Sequence, residues 1–171
     1  MTKTPLLLGL LLAPSLAFAD TLELPADARL EVQLVEPLTL GPDTPQQDDI
    51  LLRPVADGSG SHQVPDYCVM VGGAQLDDER IRITTSSVTC IDAQGNDSHI
   101  YSGDISAAAY DSDGHFGIDA CRDGLCELSP DHGFELQLAS DLAIEEQENP
   151  SEQINIERRQ ASSEQPEPEG S

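Results

Sequence analysis

Lysine is almost absent. Lys3 is the only one, and eight Lys and Arg residues stand against 32 Asp and Glu, for a formal net charge of −24 over 171 residues. A surface this acidic repels nucleic acid and anionic lipid. It suits a basic partner, a cation-rich medium or plain solubility. Carboxylates without lysine also resemble the habit of salt-loving bacteria, where salt screens the self-repulsion. Beyond residue 3 no lysine remains to act as a base or to form a Schiff base. Long apolar runs are missing after residue 12, so no later segment is a candidate membrane span. There is no nucleophile elbow, no Gly-rich phosphate loop and no HxxxH or HxH spacing among His62, His99, His115 and His132. Each histidine sits in or beside a polar turn, so surface histidine is the default and a loop-built zinc site the alternative. An enzyme is therefore not expected, and neither is a cofactor.

What is present begins with a leader. Lys3 supplies a positive start, residues 6–12 a short apolar stretch, and Ala17-Phe18-Ala19 a small-x-small site, so cleavage is expected before Asp20. No cysteine follows closely, so a lipoprotein anchor is not expected. Loss of Lys3 takes the charge from −24 to −25 and leaves seven arginines. The expected organisation is a signal peptide over 1–19, one β domain over 20–140 and a disordered acidic tail over 141–171. In that tail, Leu142, Ala143 and Ile144 read as a brief helical turn, and Glu, Gln, Ser and Pro dominate from residue 145. Export places the protein in the periplasm, associated with the outer membrane or secreted, where thiols oxidise.

The domain reads as strands. Leu30, Val32 and Leu34 alternate with polar residues, and Pro37 ends or bulges that strand. Residues 41–49 read as a polar loop, 50–55 as a short strand with Pro54 suggesting an edge, and 56–66 as a flexible loop. Residues 67–74 form a strand, Asp77 to Arg80 a charged turn, and Ile81 and Ile83 open the returning strand. Ile81, Ile83 and Thr85 share one parity, Val88 and Cys90 the other, so a bulge near Ser86-Ser87 is expected. Residues 92–98 read as a turn and 100–110 as a strand that turns at Asp113-Gly114 and returns over 115–121. That pairing puts Ala107, Ala109, Phe116, Ile118 and Ala120 on one face. Phe134, Leu136 and Leu138 mark a last strand. The sum is seven or eight short antiparallel strands and no helix: an all-β sandwich or partly open barrel.

Four cysteines allow three pairings. In Cys121-Arg122-Asp123-Gly124-Leu125-Cys126, Asp-Gly is a two-residue hairpin turn that sets Cys121 opposite Cys126, within disulfide reach. Cys68 is then left with Cys90, one at the head and one at the tail of the charged-turn hairpin. Free thiols or a CxxxxC metal site are the alternatives. Asp111, Asp113, Gly114 and Asp119 look like part of a calcium loop, but His115 stands where a third ligand belongs; turn chemistry accounts for these residues. Arg80 and Arg82 are expected to pair with neighbouring carboxylates.

One order of signals resembles a known family. Leu24-Pro25-Ala26-Asp27-Ala28 opens a strand; a Cys strand runs from Cys68 to Ala74; an acidic turn ends in Glu79-Arg80. Then come Val88-Thr89-Cys90-Ile91-Asp92, a turn at Gln94-Gly95, a strand with Gly103 and the Asp113-Gly114 turn. From residue 22 to 124 this is similar to the C-terminal β-barrel domain of TraB/TrbI-type conjugation proteins, the outer-membrane core scaffold of type IV secretion systems. The resemblance implies a non-enzymatic envelope protein whose partners are other secretion or conjugation core subunits or itself, met through strand edges and loops. The leader and acidic tail stand where that family has membrane segments, so a free-standing accessory subunit without stable membrane insertion is expected. The alternative is a periplasmic or secreted β module that binds a small ligand or cation.

Overall fold

Side chains two apart on a strand share a face, and Leu30, Val32 and Leu34 are all buried. The computed structural model describes residues 21–93 and 98–163. Its strands are β1 (Leu22–Leu24), β2 (Arg29–Leu34), β3 (Leu38–Leu40), β4 (Gln46–Pro54), β5 (Cys68–Asp77) and β6 (Arg80–Asp92). They continue as β7 (His99–Tyr110), β8 (Cys121–Arg122), β9 (Leu125–Leu128), β10 (Phe134–Leu138) and β11 (Leu142–Gln147), followed by helix α1 (Pro150–Ser163). The pairing is antiparallel. Eight strands lie in the order β1-β11-β7-β10-β2-β4-β5-β6, and β3-β9-β8 form a small second sheet. β6 also pairs with β7, so the large sheet curls round as a partly open barrel. It is least continuous along β4, where the β2 ladder covers only Leu52, Arg53 and Pro54.

Inward side chains fill the curl. Leu34, Leu52, Met70, Ile83 and Leu136 are at most 1% exposed, and they share one hydrophobic cluster with Leu38, Leu40, Cys126 and Leu128 of the small sheet. The β5–β6 hairpin is the longest ladder, from Cys68↔Cys90 to Asp77↔Arg80. Its turn is Asp78-Glu79, both at positive φ (48° and 60°), the backbone of a tight hairpin turn with right-handed twist. The expected irregularity falls at Ser86, where the ladders to both β5 and β7 shift register. Gly72 is required there, because a Cβ would run into the Thr84 carbonyl oxygen. Both disulfides join directly paired residues, Cys68–Cys90 and Cys121–Cys126, with Cα atoms 3.9 Å apart in each.

The chain's ends are zipped together. Leu22↔Ile144 and Leu24↔Leu142 keep the same register as Leu30↔Leu136 and Val32↔Phe134. Leu142 and Ile144 therefore belong to a strand, not to a helical turn. Two residues apart, they fall on one face of a strand and bury against the core. Gly103 lets this strand lie close, since a Cβ there would meet the Ala143 carbonyl oxygen.

Further expectations change. Residues 150–163 are helical rather than disordered: Asn149 Oδ1 accepts the Glu152 N–H at 3.3 Å, its Nδ2 donates to Ser98 O at 2.9 Å, and Pro150 opens the first turn. The polar loop is shorter, because β4 begins at Gln46, and β4 is an inner strand; Pro54 ends it, where a missing N–H breaks no ladder. Residues 56–66 are tied to β2 by the Arg29 N–H to Ser61 Oγ (3.0 Å) and the His62 N–H to Arg29 O (3.1 Å). The segment after Asp113-Gly114 forms no returning strand. It bridges to Tyr110 at Phe116 and Gly117, then crosses to β6, where Ile118 and Ile81 exchange both backbone hydrogen bonds. Phe116 and Ala120 are accordingly only half-buried, while Ala107, Ala109 and Ile118 are in the core. Among the described residues the strand total is eleven, because three-residue β1 and β3 and the late β11 add to those read from alternation. The leader (1–19), the Gln94-Gly95 turn and residues 164–171 lie outside the described residues.

Candidate functional site

The loop from Asp111 to Asp119 holds the candidate cation ligands. Asp111 Oδ2 accepts the Asp119 N–H at 2.8 Å and its Oδ1 the Ser112 N–H at 2.6 Å; Asp113 Oδ1 accepts the His115 N–H at 2.8 Å. Arg80 reaches in from β6. Its Nη2 lies 3.5 Å from Asp111 Oδ2 and 3.3 Å from Asp113 Oδ2, and its Nε and Nη2 donate to Gly117 O at 3.0 and 2.8 Å. The Arg80 guanidinium thus lies beside both the Asp111 and the Asp113 carboxylates. Burial pushes the Asp111 carboxyl up, but the Asp119 and Ser112 N–H groups and the Ser112 hydroxyl outweigh it and hold it below its usual value. Asp113 is also lowered, first by the His115 N–H, against partial desolvation, with the Arg80 and His115 charges helping. Asp119 brings its N–H to this network. Among the described residues, no three His, Cys, Asp or Glu side chains converge to hold a metal ion.

The other candidates disperse. Arg82 pairs with Asp77 at 3.0 Å and lies over the Phe116 ring at 4.9 Å, so both arginines do take neighbouring carboxylates. His99 meets Glu146 at 2.7 Å, His115 meets Asp113 at 3.2 Å, and His62 meets Ser61 Oγ at 2.9 Å, on separate parts of the surface. The Ser59 hydroxyl and N–H bind Glu31 and hold its carboxyl below the usual value against a small burial effect. A cleft of about 420 Å³ opens beside it, floored by Leu30, Val64 and Met70 and rimmed by Glu31, Asp57 and Asp66.

Sequence reasoning passed over one surface. On the outer side of β4, β5 and β6, Leu51 stands opposite Val71, Val71 opposite Ser87, Val69 opposite Thr89, and Ile91 opposite Ile100 of β7. Val35 adjoins Leu51 through a backbone hydrogen bond of 2.9 Å. Val35, Leu51, Val69 and Ile91 are 38–52% exposed. The first carboxylates along these rows are Asp104, opposite Ser87, and Glu145, opposite Ser102, and Asp48 Oδ1 lies beside Gly73, the next outward position after Val71; Arg53 stands one face-position along from Leu51 on β4. The outward alternation of β5 was the available signal: Val69 and Val71 take positions where a solvated strand carries polar groups.

The nearby stretch of β4 is poor for pairing. Gln46 to Asp49 is exposed, its register to β5 shifts between Gln47 and Ile50, and Asp49 has φ 56°. A kinked, acidic strand segment resists another strand. No known protein-family model matches the chain, and no curated protein matches it.

Proposed function

We propose that this is a non-enzymatic, exported envelope protein that works by docking, an accessory subunit akin to the conjugation and type IV secretion core scaffold. The observation that carries the docking role is the group of exposed apolar residues, Leu51, Val69 and Ile91, on the outer face of β4–β6 of a chain of net charge −24. Monomeric proteins seldom leave joined apolar residues on an otherwise charged exterior, and such patches serve contact. A core packed with side chains supports docking over ligand storage. Two disulfides between paired residues support an oxidising compartment. The kinship to the scaffold family rests on the order of sequence signals alone. The acid-rimmed cleft over Leu30, Val64 and Met70 favours a second reading, a small-ligand or cation-binding module.

A tagged pull-down from envelope extract tests the proposal. Recovery of secretion or conjugation subunits, lost when Leu51→Asp or Val69→Asp is used as bait, is the expected result. Capture of no envelope protein, alongside saturable binding of a small cation, would overturn it in favour of the cleft.

A further inference from the structure

We infer that the cleft under residues 55–66 binds a small organic cation with an apolar body, of the alkylammonium class. This rests on the second, ligand-binding reading and names its ligand; the docking role stands apart from it. The cleft lies where the β2–β4 ladder stops at Val32↔Pro54 and the chain leaves β4. The loop that follows is fastened to β2 along its length. The Val55 N–H donates to Glu31 O at 3.0 Å, the His62 N–H donates to Arg29 O at 3.1 Å, and Ser61 Oγ accepts the Arg29 N–H at 3.0 Å. The Glu31 carboxylate accepts the Ser59 hydroxyl at 2.7 Å. The loop lies so close to β2 that a Cβ on Gly60 would meet the Arg29 carbonyl oxygen at 2.6 Å. A cleft walled by a fastened loop exists before its ligand arrives, which lowers the ordering cost of binding.

The lining selects the ligand. Leu22, Pro54, Val55 and Pro65 are half-buried in its walls, over core side chains, so an apolar body has surface to cover. The volume, about 420 Å³, is that of a small-molecule site. Charge then sets the sign of the head group. No arginine lines the cleft, and the Arg29 side chain is turned to Glu135 at 3.7 Å. Asp57 and Asp66 stand exposed on the rim, and neither has an ion-pair partner among the described residues. Asp77 and Asp113, by contrast, already hold Arg82 and Arg80. An anion is repelled at such a rim, and a neutral molecule forgoes its attraction. A bare metal ion leaves the apolar walls unused and finds no three converging ligands among the described residues. An ammonium on an alkyl chain uses both parts: its head meets Asp57 and Asp66, and its chain covers the walls. The rim is exposed, so the charge contribution is modest and the apolar contact carries most of the affinity.

Met1 and Met70 are the only methionines, so with residues 1–19 removed on export Met70, in the cleft floor, reports alone. The test is titration followed by the methyl NMR signal of labelled Met70, in about 0.15 M NaCl. Hexylammonium should shift the signal saturably and bind roughly tenfold more tightly than hexanol, while hexanoate should not bind. Butylammonium, two methylenes shorter, should bind roughly tenfold more weakly than hexylammonium. Asp57→Asn and Asp66→Asn should each weaken hexylammonium roughly threefold and leave hexanol unchanged, a split that a merely structural role would not produce. Asparagine also tolerates the φ of 58° at Asp57. Glu157→Gln on α1, outside the cleft, should change neither. Equal binding of the hexyl compounds overturns the inference, as does indifference to both rim substitutions, a Glu157→Gln effect as large as theirs, or tighter binding of calcium. If hexanol, hexanoate or calcium binds in place of hexylammonium, the cation class fails while the ligand-binding reading stands; if nothing moves the Met70 signal, both fail. Capture of partners through Val69 is read separately and survives either result.

Discussion

The β5–β6 and β8–β9 hairpins reverse the chain with the same backbone and different chemistry. Asp78-Glu79 and Asp123-Gly124 both take positive φ at both turn residues, and each hairpin carries a disulfide between directly opposed cysteines. Asp-Gly adopts this turn without a steric penalty at its second position; Glu does not. Glu79 is held there by ten register pairs, from Cys68↔Cys90 to Asp77↔Arg80, whereas β8–β9 has two. A long ladder imposes its turn, and a short hairpin depends on the turn it has.

Core deletion should separate the two most. Ile83 is fully buried on β6 and Leu125 is 48% exposed on β9. Ile83→Ala is expected to cost about 2–5 kcal/mol in urea unfolding, and Leu125→Ala less than about 0.5 kcal/mol. Equal losses would break the comparison. Next come the disulfides, which close loops of 22 and 5 residues in sequence separation. Chain entropy gives about 3.4 kcal/mol for the first and about 2.1 kcal/mol for the second. The Cys68→Ser/Cys90→Ser pair should therefore lower the melting temperature more than Cys121→Ser/Cys126→Ser.

The turns themselves should respond with opposite signs. Glu79→Gly relieves a left-handed side chain and is expected to stabilise by about 0.5–1 kcal/mol, while Gly124→Ala, at φ 80°, destabilises by about 1 kcal/mol. Matching signs in thermal melts would show that the ladder does not carry the β5–β6 turn. The smallest effect is the acid response of the loop that Arg80 fastens to β6. Asp111 and Asp113 have folded-state values below the ordinary 3.8. Their contribution is thus present above about 3.8 and is lost as pH falls through the lower, folded value. Stability should decline between about pH 5 and pH 2, and Asp111→Asn should be weaker at pH 7 with a shallower decline.

Much of the sheet could be read from alternation: Leu30-Val32-Leu34, Ile81-Ile83 and Phe134-Leu136-Leu138 all face inward, and the parity break located the bulge at Ser86. The Cys121–Cys126 pairing followed from one turn dipeptide. Short strands were illegible, because Leu22–Leu24 and Leu38–Leu40 span too few residues to show a period. Leu142-Ala143-Ile144 was read as helical because its strand character comes from a partner 122 positions away. Asn149-Pro150-Ser151-Glu152 did carry a local signal, a cap followed by proline and an acidic third residue, within a tail whose composition hid it. The apolar outer face was hinted at by Val69 and Val71 of β5 alone, but not its extent. It exists only where Leu51, Val71 and Val69 become neighbours through the registers of three strands.

The shared register of Leu22↔Ile144 and Val32↔Phe134 makes the fold a matter of timing. A chain that emerges N-terminus first, from a ribosome or a translocation pore, presents β1 and β2 long before β10 and β11 exist. Those first apolar strands must wait, unpaired on that side, until almost the whole chain has followed. Pairing between distant segments is slow, and waiting strands are prone to aggregate. Mutual repulsion among carboxylates would keep neighbouring, half-emerged chains apart through that interval, so the acidity read at the outset would serve the protein before it has a structure at all.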